Sequence, residues 1–463
     1  MKESITSAEG RLVKDGRSIP VKLSHASKYS LHVDFQNGDD FINGTEFNSL
    51  VIELNPETFE FGRCSLVSEA NIDGHAGRLI FKEDAYNFDM FFAKKLSVNL
   101  DTFFYNLPLI LTHKNNVLQP FKDFTSNLSY DLSVYKQYFD NMDAEYEHEP
   151  PEVADEIKRI IIESEGAKFM GFLDQKLDEL EEQIGQFSRE EHERHGYYFR
   201  KQLWNFILCS DFMARTNIKP RGYAGDSEMM EMIYENGFRG ITTFSRLMHK
   251  HPLQHPAAQA VRNRRKLITR TLREIQDDFP GLPQRGFKIL SVACGPATEL
   301  NDILLTEDDF NRFSVSLFDQ DRIALMAAAR GIEKIENRMK MKIKSNFLRD
   351  SVRTMLSTSK ISEKWGQYHY IYSMGLFDYL TPPVAAAVMN KLYELLLPGG
   401  HLLVGNFHVD NPSRFYMEYW CDWVLYYRTE DDMLSLLEDP TAEKSVTFED
   451  SRSQMFLKIK KAT

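Results

Sequence analysis

The sequence predicts an α/β protein: a doubly wound, Rossmann-like sheet domain in the C-terminal half, a helical region before it, and an antiparallel β barrel at the N-terminus. Three observations lead there. From Phe287 onward, apolar β runs alternate with helical patterns, as in successive βαβ units. From Glu152 to about Met213, apolar residues recur at three and four. From residue 10 to about 125, short runs alternate apolar and polar residues between turn signals. The expected domains are residues 1–125, 126–217 and 218–463.

A chain of 463 residues with 42% hydrophobic content is long enough for several buried cores. Its net charge of −12 argues against a nucleic-acid partner, which needs a basic surface. Cys64, Cys209, Cys294 and Cys421 are far apart, so no disulfide framework or cysteine metal site is expected, which fits a reducing cytoplasm. The first residues have no apolar signal core, and no run approaches the roughly 18 apolar residues of a transmembrane segment. A soluble cytoplasmic protein is expected.

The N-terminal strands are read in Ser18–Leu23, Ser30–Phe35 and Ser49–Leu54, punctuated by Gly38, Asn43-Gly44 and Asn55-Pro56. Residues 140–156 are acidic with a Pro-Pro and read as a linker. The helical region carries Ile157, Ile160 and Ile161, then Phe169, Phe172, Leu173, Leu177, Leu180 and Ile184, a pattern for helices packing on each other or in a homodimer. His192 and His195 lack a third ligand nearby and read as a solvated face; no metal is expected. Residues 218–226 break the periodicity with Arg221-Gly-Tyr223-Ala-Gly225-Asp226, where Asp226 is a natural N-cap for the next helix. A basic helix from His255 leads to the sheet.

The sheet region centres on Ile289–Val292, a buried strand, followed by the small-residue run Ala293-Cys-Gly295-Pro-Ala297. Such a turn presents backbone N–H groups to a ligand. It is not G-x-G-x-x-G, and it carries no phosphate-loop lysine. The second strand, Phe313–Phe318, ends at Asp319-Gln320. Asp319 lies 24 residues beyond Gly295, the position of an acid that binds ribose hydroxyls. The third strand is read as Met339–Ile343, placing Asn346 and Phe347 to meet an adenine. The fourth, His369–Ser373, runs into Met374-Gly375. The fifth, His401–Gly405, follows Leu397-Pro-Gly-Gly400 and ends at His408. Thr381-Pro382 reads as a helix cap.

The run at 293–297 resembles motif I of class I S-adenosylmethionine (SAM) methyltransferases, with Ala293 and Ala297 where glycines are commoner, and Leu-Pro-Gly-Gly is a second mark of that family. The resemblance implies SAM as cofactor, with Arg221, Tyr223, Ala293, Gly295, Glu299, Asp319, Gln320, Asn346, Phe347, Ser373, Met374 and Gly375 around it. Lys219–Asp226, Ala260–Arg264, Ser291–Glu299, Gly375–Leu380 and Asn411–Tyr419, continuing to Asp422-Trp423 and Tyr427-Arg428-Thr429, together resemble the bacterial extracellular-factor 3-hydroxypalmitate methyl ester synthases over about residues 190 to 440. That resemblance implies methylation of a 3-hydroxy fatty-acid carboxylate to a quorum-sensing methyl ester. The N-terminal layout resembles a PilZ-type barrel. Of that family's cyclic-di-GMP motif only Ser27 fits, within His25–Ser30, with Arg11 and Arg17 as the basic residues, so no such binding in the usual way is expected.

A carboxylate acceptor is already ionised near neutral pH and needs positioning rather than a base. Tyr223 and Arg428 are the candidates for that, with His408 as base for a less acidic acceptor. Phe377, Tyr379, Arg414 and Tyr416 are candidate substrate contacts; the aromatic segment from Phe415 to Tyr427 reads equally as acyl pocket or core. A small-molecule or protein methyltransferase regulated by the N-terminal barrel, and a non-catalytic SAM-binding signalling protein, are the alternatives.

Overall fold

The computed structural model describes residues 4–27, 30–35, 43–54, 57–67, 76–82, 88 and 114–463. The chain forms two compact units, Met1–Val117 and Leu118–Thr463.

The first unit is an antiparallel sheet of β1 (Ser4–Lys14), β2 (Arg17–Ser27), β3 (Ser30–Phe35), β4 (Glu46–Phe47), β5 (Ser49–Leu54), β6 (Glu57–Phe61), β7 (Cys64–Val67) and β8 (Ala76–Phe81), in the order β4-β7-β8-β3-β2-β1-β5-β6. Asp15 and Gly16, with φ of 48° and 76°, make the two-residue turn that sets Lys14 opposite Arg17. Period-two alternation buries Leu31 and Val33, and Leu50 and Ile52, on one face. Only Asn48 separates β4 from β5, and its N–H bonds to Val13 O at 2.7 Å, so the sheet curls back at that end. The described ladders nevertheless do not close into the expected barrel; β4 and β6 are the edges. Ser27 pairs with Ser30, while Lys28 and Tyr29 between them, and likewise Gly38, Asn55 and Pro56, lie outside the described residues. Arg11 is ion-paired with Glu53 across the β1–β5 ladder.

The second unit begins with α1 (Gln119–Glu145), α2 (Pro151–Ile161), α3 (Ala167–Ile184), α4 (Arg189–Gln202), α5 (Trp204–Ile207), α6 (Asp211–Ile218), α7 (Ser227–Glu235), α8 (Thr243–Gln254) and α9 (Pro256–Ile275). Three expectations are corrected here. The β pattern does not reach residue 125, because Phe121, Phe124, Leu128, Leu132 and Phe139 form a helical stripe inside α1. The acidic stretch at 140–156 is mostly the end of α1 and the start of α2, its Pro-Pro serving as N-terminal residues of α2. His195 is also not solvated. It is buried against Phe121 and Phe187, its Nδ1 bonded to Glu191 O at 2.8 Å and its Nε2 accepting from Leu118 N at 3.1 Å.

The sheet comprises β9 (Phe287–Val292), β10 (Phe313–Asp319), β11 (Lys344–Arg349), β12 (Tyr368–Ser373), β13 (Leu396–Phe407), β14 (Glu443–Phe448) and β15 (Gln454–Lys460), in the order β11-β10-β9-β12-β13-β15-β14. The first five strands run parallel, and β15 pairs antiparallel with β13 and β14. Alternate residues face opposite layers. Ile289, Tyr370 and Leu403 pack with Leu267, Ile268 and Leu272 of α9, whereas Leu290, Ile371 and Leu402 join a core on the other face with Val388 and Leu392 of the helix Pro382–Glu394. Thr381 makes no side-chain cap on that helix; Pro382 supplies its start. The third strand is Lys344–Arg349, not Met339–Ile343, so Asn346 and Phe347 lie within an edge strand rather than beyond its end. No helix among the described residues is long and apolar enough to cross a membrane.

Candidate functional site

Strand order reverses between β9 and β12, and in open parallel sheets the crevice beyond the strand ends at that point is where ligands bind. A cavity of about 270 Å³ lies there, reached by the turn after β9, the end of β10, the segment after β12 and the loop before α7.

The turn after β9 has an alternating backbone. Ala293, Gly295 and Ala297 have φ of 52°, 53° and 49°, all left-handed. Two alanines thus carry a strain of roughly 1–2 kcal/mol each. A Cβ built on Gly295 meets nothing within 4 Å, so its backbone is open to a ligand. The turn is fixed from β10: Asp319 Oδ2 accepts from Gly295 N at 3.0 Å and Oδ1 from Asp321 N at 2.9 Å. Burial raises the Asp319 carboxyl above its ordinary range. Glu299 also lines the cavity, buried and raised by that burial, with Tyr372 donating to it at 2.8 Å. Cys294 is a buried thiol held well above its usual pKa by desolvation, which removes it as a nucleophile.

Arg264, from α9, is the one guanidinium among the described cavity-lining residues. It is 7% exposed and donates to Met374 O at 3.1 Å and towards Met230 Sδ at 3.2 Å, with no carboxylate bonded to it. The cavity therefore holds a buried guanidinium together with the buried carboxyl groups of Asp319 and Glu299.

The opposite wall is aromatic. Tyr223 and Tyr379 meet edge to face with centroids 6.2 Å apart, and Trp423 Nε1 donates to Tyr379 Oη at 2.8 Å. Both phenols have pKa values raised first by burial, so they are neutral donors at physiological pH. Gly225 permits this packing: a Cβ there would lie 2.6 Å from both Tyr379 Oη and Trp423 Cζ2. Asp378, 2% exposed, accepts from Phe407 N at 2.7 Å, and burial lifts its carboxyl from 3.8 to about 6.

Of the residues singled out from sequence, Tyr223, Ala293, Gly295, Glu299, Asp319, Gln320, Met374, Gly375 and Tyr379 line this cavity. The others do not. Arg221 bridges Asp321 at 2.8 Å and reaches Ser227, fastening the loop before α7 to the end of β10. The Ser373 hydroxyl is spent on Val292 O, and Phe377 is in the core. Arg428 is a buried clamp that donates to Phe377 O at 2.7 Å, Leu380 O at 2.6 Å and Asn406 Oδ1, so it orients the chain rather than a ligand. His408 faces Glu430 at 3.1 Å, with its Nδ1 accepting from Asp410 N, outside the cavity. Arg414 pairs with Glu418, and Tyr416 bonds His251. The residue at the end of β11 is Asp350, which lines the cavity where Asn346 was expected to. Arg264, Asp378 and Trp423 stand in strings quoted above for their resemblance, but nothing in their spacing marked them as lining residues.

No protein-family model matches the sequence, and no curated protein matches it. Solved structures are similar over part of the chain. One from Bordetella parapertussis, described as a possible exported protein, has a TM-score of 0.40 at 16% identity, covering 51% of this chain and 80% of its own. The magnesium protoporphyrin IX methyltransferase of Synechocystis PCC 6803 with bound SAH has a TM-score of 0.34 at 13% identity, over 44% and 87%. A SAM-dependent methyltransferase from Methanosarcina mazei has 0.31 at 14%, over 41% and 97%. The functional reading rests on the chain's own residues.

Proposed function

We propose that this protein is a SAM-dependent methyltransferase that methylates the carboxylate of a fatty acid, of the 3-hydroxy class, to a methyl ester signal. The observation that carries the cofactor assignment is the Gly295–Asp319 pair at the switch point: an open left-handed glycine beside a buried acid at the end of β10. The donor set fits the group. Asp319 suits a ribose diol, Arg264 a carboxylate and Glu299 an ammonium, the three polar ends of SAM. Thr298 Oγ1, on the same wall, is buried without a hydrogen-bond partner. When bound, SAM supplies an electrophilic methyl group on a sulfonium.

The chain's own part is positioning. Tyr223 and Tyr379 offer two neutral O–H donors to an acceptor carboxylate, the role first expected of Arg428. Trp423, Phe407 and Leu425 give the wall an apolar side suited to an alkyl chain. The resemblance of the strings at 219–226 and 375–380 supports the fatty-acid class. A second reading, an amine or hydroxyl acceptor, is favoured by Asp378 alone, whose pKa of about 6 would suit a general base in place of His408. The curled N-terminal sheet keeps its PilZ-like reading within this proposal.

The test is incubation of the full-length protein with methyl-deuterated SAM and 3-hydroxypalmitic acid. Formation of labelled methyl ester and S-adenosylhomocysteine in equal amounts is expected. SAM binding by calorimetry without any methylated fatty acid would reject the acceptor, and absence of SAM binding would reject the cofactor.

A further inference from the structure

Away from the cavity, Asp174 on α3, His251 on α8 and His255 at the junction of α8 and α9 converge on one point. His251 Nε2 is 3.0 Å from Asp174 Oδ1, His255 Nε2 is 3.4 Å from the same oxygen, and the two Nε2 atoms are 3.4 Å apart. Tetrahedral coordination at bond lengths of roughly 2.0–2.1 Å puts ligand atoms about 3.3–3.4 Å from each other. Two of the triangle's three edges, at 3.4 Å, match one face of a zinc tetrahedron, and the third, at 3.0 Å, is shorter.

We infer that Asp174, His251 and His255 form a binding site for a zinc-class divalent cation. His251 and His255 are four residues apart, the spacing that brings two imidazoles to one side of a helix. The other ring nitrogen of His251 meets Tyr416 Oη at 2.6 Å, a partner of the kind that orients a metal-bound imidazole. Asp174 has a side chain 60% exposed, so the fourth position opens to solvent and takes water. The ion ties α3 to the start of α9, the helix that carries Arg264 into the cavity, and so braces the wall of that site from outside.

The test uses the untagged full-length protein. After chelation and dialysis, Zn²⁺ is added back and its content measured, and Co²⁺ is added in parallel to read the intense visible absorption of a tetrahedral site. About one equivalent of either ion is expected, with a rise in melting temperature. Asp174→Ala, a change at an exposed side chain, should abolish the Co²⁺ band and the thermal shift while leaving the far-ultraviolet circular dichroism unchanged. Tyr416→Phe should weaken Zn²⁺ about 10- to 100-fold. Less than about 0.2 equivalents bound, or equal binding in Asp174→Ala, overturns the site.

Discussion

Asp319→Asn separates the two tasks placed on one carboxylate. The change is isosteric, but an amide has one acceptor oxygen where Asp319 uses two, towards Gly295 N and Asp321 N. The amide nitrogen must then face one of these N–H groups and leave it unpaired. A hydrogen bond to a charged group contributes roughly 1.5–3 kcal/mol, but in the ligand-free protein its loss is opposed by relief of a desolvated charge, so the net change in stability should be smaller than that. A ribose diol would lose a bond of the same kind. At about 1.4 kcal/mol per tenfold, SAM affinity should fall about 10- to 150-fold.

The same carboxyl sets a pH dependence. Burial raises it, so it takes up a proton on acidification sooner than an exposed aspartate would. Wild-type SAM affinity should therefore weaken as pH falls through its titration, while the Asn variant lacks that component. Calorimetry with SAM across pH, together with urea unfolding, measures both effects. Unchanged affinity in the variant, or the same pH dependence in both proteins, would refute the assignment of Asp319 to the ribose.

Three further outcomes follow from the same geometry. Gly225→Ala places a methyl group 2.6 Å from Trp423 Cζ2 and Tyr379 Oη, and overpacking of this kind costs about 1–3 kcal/mol; urea unfolding should show that loss, and wild-type stability would contradict the packing. Ala293→Gly relieves a left-handed alanine at φ 52°, so the gain of roughly 1–2 kcal/mol less the roughly 0.5–1 kcal/mol entropic cost of glycine should raise the urea midpoint, and a lower midpoint would contradict it. Asp378→Asn addresses a carboxyl lifted from 3.8 to about 6, equivalent to about 3 kcal/mol. The neutral form's stabilisation is full below about pH 4 and lost as pH rises through 6, so the Asn variant should match wild type near pH 4 and exceed its stability at pH 8; parallel unfolding curves at both pH values would exclude this.

What the sequence made legible is what contiguous residues decide. The small residues at 293, 295 and 297 are the three that adopt left-handed φ, and their alternation is visible in the chain as written. The acid after β10 is legible because the length of a βα unit fixes how far it follows the turn. The third strand was placed too early for a reason of burial. Lys344–Arg349 is an edge strand with mostly exposed or half-exposed side chains, so it lacks an apolar run, whereas Met339–Ile343 is more apolar but holds the end of a helix and its exit. That shift put the expected adenine contact at Asn346, whereas Asp350 is the residue that lines the cavity.

For Arg428 and His408 the sequence expectation and the structure part for a different physical reason. Arg428 and His408 are the residue types that bind acids, but a cation's partner is set by what folds beside it. Arg428 is consumed by carbonyls of the segment after β12 and by Asn406, and His408 by Glu430. Their role as clamps is written in pairings between segments some 20 to 50 residues apart, which spacing alone does not reveal. Tyr223, Tyr379 and Trp423 come from three separate loops, and what joins them is the absence of a side chain at Gly225. That glycine is the local trace of the long-range contact. It marks where the loop before α7 must approach the aromatic wall, and it makes the loop part of the cavity instead of a joint between helices.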